Sequence, residues 1–133
     1  MSTTLKPHAP KALAALRIIT ALLFIAHGTQ KLFGFPAAEF QPQAFTLLWF
    51  GAVIELVGGT LLLLGLFTRP TAFLLSGEMA VAYFMFHAPN SFFPALNGGD
   101  AAILFSFIFL YLLFEGPGAL ALDNARADKR AAA

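Results

Sequence analysis

Four long apolar stretches alternate with short polar segments along the chain, covering residues 12–33, 45–67, 70–88 and 100–115. Each approaches the roughly 20 residues that an α-helix needs to cross the hydrocarbon core of a bilayer. Prolines and glycines separate the stretches, at FGFP, at TRP and within HAPNSFFPALNGGD. The pattern predicts an all-α fold, a four-helix transmembrane bundle with loops at residues 35–44 and 89–99.

The two ends of the chain differ from this apolar region. Residues 1–11 are polar, basic and proline-bearing, and predict a disordered tail; residues 123–133 are charged and then alanine-rich, and predict a second tail. One transmembrane domain, residues 12–122, lies between them. The alternative of a cleaved signal peptide over the first stretch is weaker, because three strongly polar residues lie in its second half.

Composition agrees with a membrane protein and excludes several functional classes. Of the 133 residues, 59% are hydrophobic and 11% are charged, whereas roughly a quarter of the residues of a soluble domain are charged. There is no cysteine, which excludes disulfides, thiolate metal sites and thiol catalysis. A net charge of +1 without clustered basic residues gives no nucleic-acid surface.

Basic residues predict the orientation of the bundle. They lie before the first stretch, between the second and third, and after the fourth, as Lys6, Lys11, Arg69, Arg126, Lys129 and Arg130. The positive-inside rule then predicts that both termini are cytoplasmic.

Seven ionisable side chains interrupt the apolar stretches or lie at their edges, and we predict that they line a polar intramembrane pocket. They are Arg17, His27, Lys31, Glu55, Glu78, His87 and Asp100. Such groups are expensive in lipid, and they usually face the interior of a bundle. The opposing interpretation is that they form neutralising ion pairs that only fix the register of the helices.

Helical phase and depth refine this prediction. Arg17, His27 and Lys31 share one face of the first helix. In the third helix, Glu78 and His87 fall on nearly opposite sides, so one of them should contact a partner subunit or reach the interface. Matched depth suggests two sets of ion pairs, Arg17 with Glu115 or Glu78, and Lys31 with Asp100. Asp100 also stands where it would cap the fourth helix.

Small residues on the second helix predict a packing face. Gly51, Gly58, Gly59 and Gly65 cluster on the same side as Glu55, and glycines let helix backbones approach closely in membranes.

The pattern contains no catalytic constellation and no metal motif. His27 and His87 lie at similar depth, as axial ligands of a haem would, but the phase of His87 disfavours haem. No two histidines are one turn apart, which disfavours a metal site.

Four segments in order, LRIITALLFIAHGTQKLFG, ELVGGTLLLLGLFTRP, HAPNSFFPALNGGD and GPGALALD, resemble the DoxX family of bacterial membrane proteins from about Leu16 to Asp123. The resemblance implies a four-helix inner-membrane protein, with Asp100 standing where the family often has Glu. The matching positions are Arg17, His27, Gly28, Lys31, Glu55, Gly58, Gly59, Gly65, Arg69, His87, Asn97, Asp100, Gly116, Gly118 and Asp123.

The resemblance also implies a functional class, because relatives include a subunit associated with thiosulfate:quinone oxidoreduction. The first hypothesis is therefore a subunit or accessory of a quinone-linked membrane redox system, with a membrane oxidoreductase complex or further copies of the chain as partners. The alternatives are a small carrier or proton-relay protein that uses Glu55 and His27, and a purely structural membrane subunit. The pattern leaves open whether the chain is an enzyme.

Overall fold

The computed structural model describes residues 4–133, which form six α-helices and no β-strand. The four longer helices are α1 (Ala9–Phe33), α2 (Leu47–Leu64), α3 (Thr68–Ala82) and α5 (Asp100–Glu115), and the two shorter ones are α4 (Pro94–Asn97) and α6 (Leu122–Ala131). A π-helical turn, Tyr83–His87, continues α3, and 3-10 turns cover Lys6–His8 and Ala88–Asn90. The predicted all-α class is confirmed.

One apolar core is shared by the four longer helices. At its centre, Phe24 of α1 contacts Phe105 and Phe109 of α5 edge-to-face, with ring centroids 5.3 and 4.9 Å apart. Leu62 of α2 and Leu75 of α3 are fully buried in the same cluster. Aromatic pairs of this kind stabilise a core beyond the area that they bury.

Glycines and one threonine fix the ends of the first two helices. Gly34 and Gly65 follow α1 and α2 with φ values of 67° and 65°, in the left-handed region that glycine adopts without steric cost. At the start of α2, the Thr46 hydroxyl accepts a hydrogen bond from the Trp49 N–H at 3.4 Å, which caps the helix.

The glycines of α2 face different neighbours. A Cβ atom on Gly58 would lie 2.7 Å from Leu75 of α3, and one on Gly59 would lie 2.7 Å from Ile25 of α1. Gly51 lies instead beside Glu78. Gly65 lies at the end of α2, against the Arg17 guanidinium. The closest helix approach is at Gly28 of α1, outside the predicted packing set, where a Cβ would lie 2.9 Å from the backbone N of Leu56.

Two helical segments are long and apolar enough to cross a membrane, Lys6–Phe33 with 28 residues and Leu47–Leu64 with 18. Helices α3 and α5 are shorter, with 15 and 16 residues. Helix α5 coincides with the predicted fourth stretch, and α1 and α2 end within three residues of their predicted ends.

The two tails differ from the prediction. Helical structure begins at Lys6, because Pro7 and Pro10 stand in first turns, where a missing N–H costs nothing. Residues 1–3 of the predicted disordered tail lie outside the described residues. Most of the predicted second tail, residues 123–133, belongs to α6, which has acidic Asp123 in its first turn and basic Lys129 and Arg130 in its last.

Candidate functional site

A cavity of about 400 Å³ lies among α1, α2, α3 and α5. Five of the seven predicted pocket residues line it: His27, Lys31, Glu55, Glu78 and His87. The rest of the wall is mainly apolar and includes Phe24, Phe86, Phe105, Met79 and Met85. We call this space the central cavity. Its size falls in the range of pockets that hold small molecules.

The strongest polar contact in the wall joins α1 to α2. Lys31 Nζ donates a hydrogen bond to Glu55 Oε1 at 2.6 Å, and Glu55 is only 3% exposed. The predicted pairing of Lys31 with Asp100 is therefore wrong. Depth along a helix axis relates backbone positions only, whereas the long lysine stem carries its ammonium group toward the middle of the neighbouring helix.

Two carboxylate oxygens at this wall, one of them in the pair itself, have no partner among the described residues. Glu55 Oε2 and Glu78 Oε2 are both buried and accept no hydrogen bond from the residues that the structure describes. Glu78 lies against α2, since a Cβ on Gly51 would be 3.3 Å from its Oε1. One ammonium group thus stands near two carboxyl groups at this wall, and it forms a hydrogen bond with only one of them.

The π-helical turn brings His87 to the same cavity as Glu78. A regular α-helix would hold them about 180° apart, whereas a π turn takes up roughly one extra residue and rotates the residues beyond it by about 100°. The prediction that His87 and Glu78 lie on opposite sides of the third helix is therefore wrong, because His87 also lines the cavity. Its Nδ1 lies 3.1 Å from the Asn97 carbonyl oxygen.

Asn97 organises the loop at this end of the cavity. Its Oδ1 accepts a hydrogen bond from the Gly99 N–H at 2.8 Å, and its Nδ2 donates to the Ser91 carbonyl and the Tyr83 hydroxyl. A Cβ on Gly99 would lie 2.6 Å from the Tyr83 ring. The NGG segment is therefore a structural support for His87, a role that the sequence did not reveal because its partners lie on other elements.

The other two predicted pocket residues lie outside the cavity. Asp100 is exposed in the first turn of α5, and the N-cap position belongs to Gly99. An acidic residue in a first turn interacts favourably with the helix dipole. The predicted cap at Asp100 is therefore wrong by one residue.

Arg17 is fully buried at the opposite end of α1. Its guanidinium donates to the carbonyl oxygens of Pro117, Ala119 and Leu120, the last at 2.8 Å. The predicted pairs with Glu115 or Glu78 are wrong, because the chain after α5 folds back over α1 and brings carbonyl groups without helical partners to the five guanidinium donors.

Asp123 holds the same end together. Its two carboxylate oxygens accept hydrogen bonds from the Phe67 and Thr68 N–H groups, each at 2.9 Å, at the start of α3. Burial tends to raise the pKa of the Asp123 carboxyl, but the Thr68 and Phe67 N–H groups and the Arg126 charge hold it below its ordinary value. The sequence pattern had placed this residue in a tail.

Arg69 completes the set by donating to the Leu113 carbonyl at 2.7 Å and to that of Phe114, at the end of α5. Three residues, Arg17, Arg69 and Asp123, thus hold the ends of helices together through hydrogen bonds to backbone groups. They belong to the LRIIT, TRP and GPGALALD segments of the sequence. They do not line the central cavity.

A family model and two relatives match the chain. A DoxX family model matches residues 12–88. A Haemophilus influenzae protein described as uncharacterized is 49% identical over 126 residues, covering 90% of this chain and 94% of the relative. A Mycobacterium tuberculosis protein described as an uncharacterized membrane protein is 31% identical over 149 residues, covering 93% of this chain and 86% of the relative.

No solved structure matches the chain. The family model spans more than half of the residues, and both relatives align over nearly the whole chain. The chain belongs to the DoxX family of membrane proteins.

Proposed function

We propose that the four longer helices form a transmembrane bundle in the bacterial inner membrane, with both termini cytoplasmic. The start of α1, the α2–α3 turn and α6 carry the basic residues and meet at one end, where Asp123 bonds to the start of α3. Large apolar side chains on the outside also support the proposal. Ile19, Leu23 and Phe73 are 57, 56 and 68% exposed, and lipid would cover them.

Within this bundle, the chain binds the head group of a lipid-soluble quinone or quinol as a subunit or accessory of a membrane redox system. The central cavity is the observation that carries this proposal. Its apolar and aromatic wall suits a ring, and its Lys31–Glu55 pair and Glu78 suit the ring's polar substituents. A bound quinone would supply electron transfer, and the chain's own residues would bind and orient it.

The chemistry of the wall favours the reduced form. Glu55 Oε2 and Glu78 Oε2 are acceptors without donors among the described residues. The carbonyl groups of a quinone only accept hydrogen bonds, whereas the hydroxyl groups of a quinol donate them. Glu55 and Glu78 would therefore accept hydrogen bonds from the hydroxyl groups of a quinol.

A proton-relay role is the second candidate, and the same two carboxyl groups favour it. Unpartnered carboxyl groups at membrane depth are typical of proton pathways. This role predicts that Glu55→Gln abolishes proton flux in proteoliposomes, while quinol binding is absent from the unmodified protein.

Binding of a short-chain benzoquinone and of its reduced quinol to the purified protein in detergent tests the proposal. We expect the quinol to bind at least tenfold more tightly than the quinone. Glu78→Gln should weaken quinol binding by about tenfold or more, because it replaces one of the two acceptor oxygens with an NH2 group that only donates. Glu115→Gln is the matched control, since Glu115 is exposed and lies outside the cavity. Absence of binding by either form would refute the proposal.

A further inference from the structure

A second cavity, of about 390 Å³, lies at the end of the bundle that carries the termini. We call it the arginine pocket. It lies between the α2–α3 turn and α6, and its lining residues are Phe67, Thr68, Arg69, Pro70, Pro117, Asp123, Arg126, Ala127 and Arg130. None of these residues lines the central cavity.

The pocket carries uncompensated positive charge. Three guanidinium groups line it, against the single carboxylate of Asp123, whose two oxygens already accept the Phe67 and Thr68 N–H groups. Within residues 4–133 the only ion pair is Lys31–Glu55, so no arginine of the pocket is neutralised by a carboxylate in contact with it. An anion would find donors here without displacing an existing ion pair.

The two arginines of α6 face the pocket by helical spacing. Asp123, Arg126, Ala127 and Arg130 follow the i, i+3, i+4, i+7 pattern of one helix face, whereas Lys129 does not line the pocket. Arg126 lies over the Phe67 ring at 4.6 Å, a cation–π contact that orients it. Arg130 has no hydrogen-bond partner among the described residues.

Apolar side chains border the charged pocket. Phe67 in its wall is 50% exposed, and nearby Leu120 and Leu122 are 81% and 45% exposed. A free phosphate ion would gain nothing from these side chains. The combination of guanidinium groups with an exposed apolar border fits a molecule that joins a phosphate to acyl chains.

We propose that the arginine pocket binds the phosphate head group of an anionic phospholipid at the cytoplasmic surface of the membrane, a position that rests on the orientation proposed above. Arg126 and Arg130 contact the phosphate oxygens, and the acyl chains pass Phe67 and Leu120 toward the bilayer. Basic pockets at this level of a membrane protein suit anionic head groups, and the cytoplasmic leaflet is rich in them. This site is independent of any ligand of the central cavity.

Native mass spectrometry of the detergent-purified protein, titrated with phosphatidylglycerol or with phosphatidylcholine of the same acyl chains, tests the proposal. We expect a phosphatidylglycerol adduct that is weakened about 10- to 30-fold by the double change Arg126→Gln and Arg130→Gln, at about one factor of five per arginine. Lys129→Gln removes the same charge from the same helix outside the pocket, and should change binding less than threefold. Arg126→Lys with Arg130→Lys should retain most of the binding.

Three results would overturn the proposal. One is equal binding of phosphatidylglycerol by the double Gln variant. Another is an equal loss in Lys129→Gln, which would mean that binding follows net charge. The third is displacement of the lipid by glycerol phosphate at the same concentration, which would assign the pocket to a free phosphate. If the double variant does not fold, Arg130→Gln alone provides the same comparison, because the Arg130 side chain forms no hydrogen bond or ion pair within residues 4–133.

Discussion

Lys31 of α1 and Glu55 of α2 are joined by a hydrogen bond of 2.6 Å at the wall of the central cavity. The sequence had suggested Asp100, and not Glu55, as the partner of Lys31. The pair links two helices across a closely packed interface and leaves the second oxygen of Glu55 without a partner among the described residues. The hydrogen bond thus joins α1 to α2, and it leaves one oxygen of Glu55 free to accept a hydrogen bond from a ligand in the cavity.

Lys31→Met is expected to destabilise the protein by about 1–3 kcal/mol, because it leaves the buried Glu55 carboxyl unpaired. The thermal unfolding midpoint in detergent measures the effect. The double change Lys31→Met with Glu55→Leu should recover most of the loss, since removing both partners of a buried pair is often nearly neutral. Lys11→Met, at an exposed position, serves as control. An equally unstable double variant would contradict the assignment.

Arg17→Met is expected to loosen the segment 116–121. It removes the donors for the Pro117, Ala119 and Leu120 carbonyl groups, and hydrogen bonds to a charged group contribute about 1.5–3 kcal/mol. Hydrogen exchange should rise in this segment and at the start of α6 and stay unchanged around the central cavity. Arg17→Lys should restore only part of the protection, because lysine lacks the planar fork. If hydrogen exchange in segment 116–121 were unchanged in Arg17→Met, Arg17 would not hold this segment in place.

Gly28→Ala and Gly77→Ala form a matched pair. A Cβ at Gly28 would lie 2.9 Å from the Leu56 backbone N and 3.1 Å from the Ala52 carbonyl oxygen, whereas a Cβ at Gly77 meets nothing within 4 Å. We expect Gly28→Ala to destabilise by about 1–3 kcal/mol through overpacking, and Gly77→Ala to stabilise by up to about 1 kcal/mol through helix propensity. Thermal unfolding of both variants measures this difference. The same sign for both would contradict the close approach of α1 to α2.

Asp123 predicts a pH dependence at the end of the bundle that carries the termini. Its folded pKa lies below the ordinary value of 3.8, so the carboxylate contributes stability that is complete above that value and is lost as the pH falls through the folded pKa. The difference in unfolding midpoint between the native chain and Asp123→Asn should stay constant between about pH 7 and pH 5 and shrink below about pH 4. Asp128→Asn, an exposed change on α6, should show no such trend. If the difference in unfolding midpoint between the native chain and Asp123→Asn grew as the pH fell, the stabilising role of the Asp123 carboxylate would be contradicted.

Four of the seven predicted pocket residues, His27, Lys31, Glu55 and Glu78, meet at one cavity because helical phase depends only on local geometry, which the sequence specifies well. His87 joins them only through the π turn. Arg17 illustrates where that reasoning ends. Its helical phase places Arg17 on the same face of the first helix as His27 and Lys31. Its partners, however, are backbone carbonyl groups of residues 117–120, and a pattern of side chains contains no information on backbone partners. Asp123 went unrecognised for the same reason, since it bonds to the backbone of another helix start.

The sequence by itself determined that this chain is helical and suited to a membrane. The length of its apolar stretches, the prolines and glycines between them and the small number of charged residues are local properties that do not depend on tertiary contacts. It also determined the ends of the first two helices, where Gly34 and Gly65 adopt the left-handed backbone conformation that glycine allows. Only the tertiary structure decided that Lys31 pairs with Glu55, that Arg17 and Asp123 tie the helix ends together, and that a π turn brings His87 to the cavity. Those features depend on how far side chains reach between helices and on one extra residue in a turn, and neither is determined by regular helical spacing.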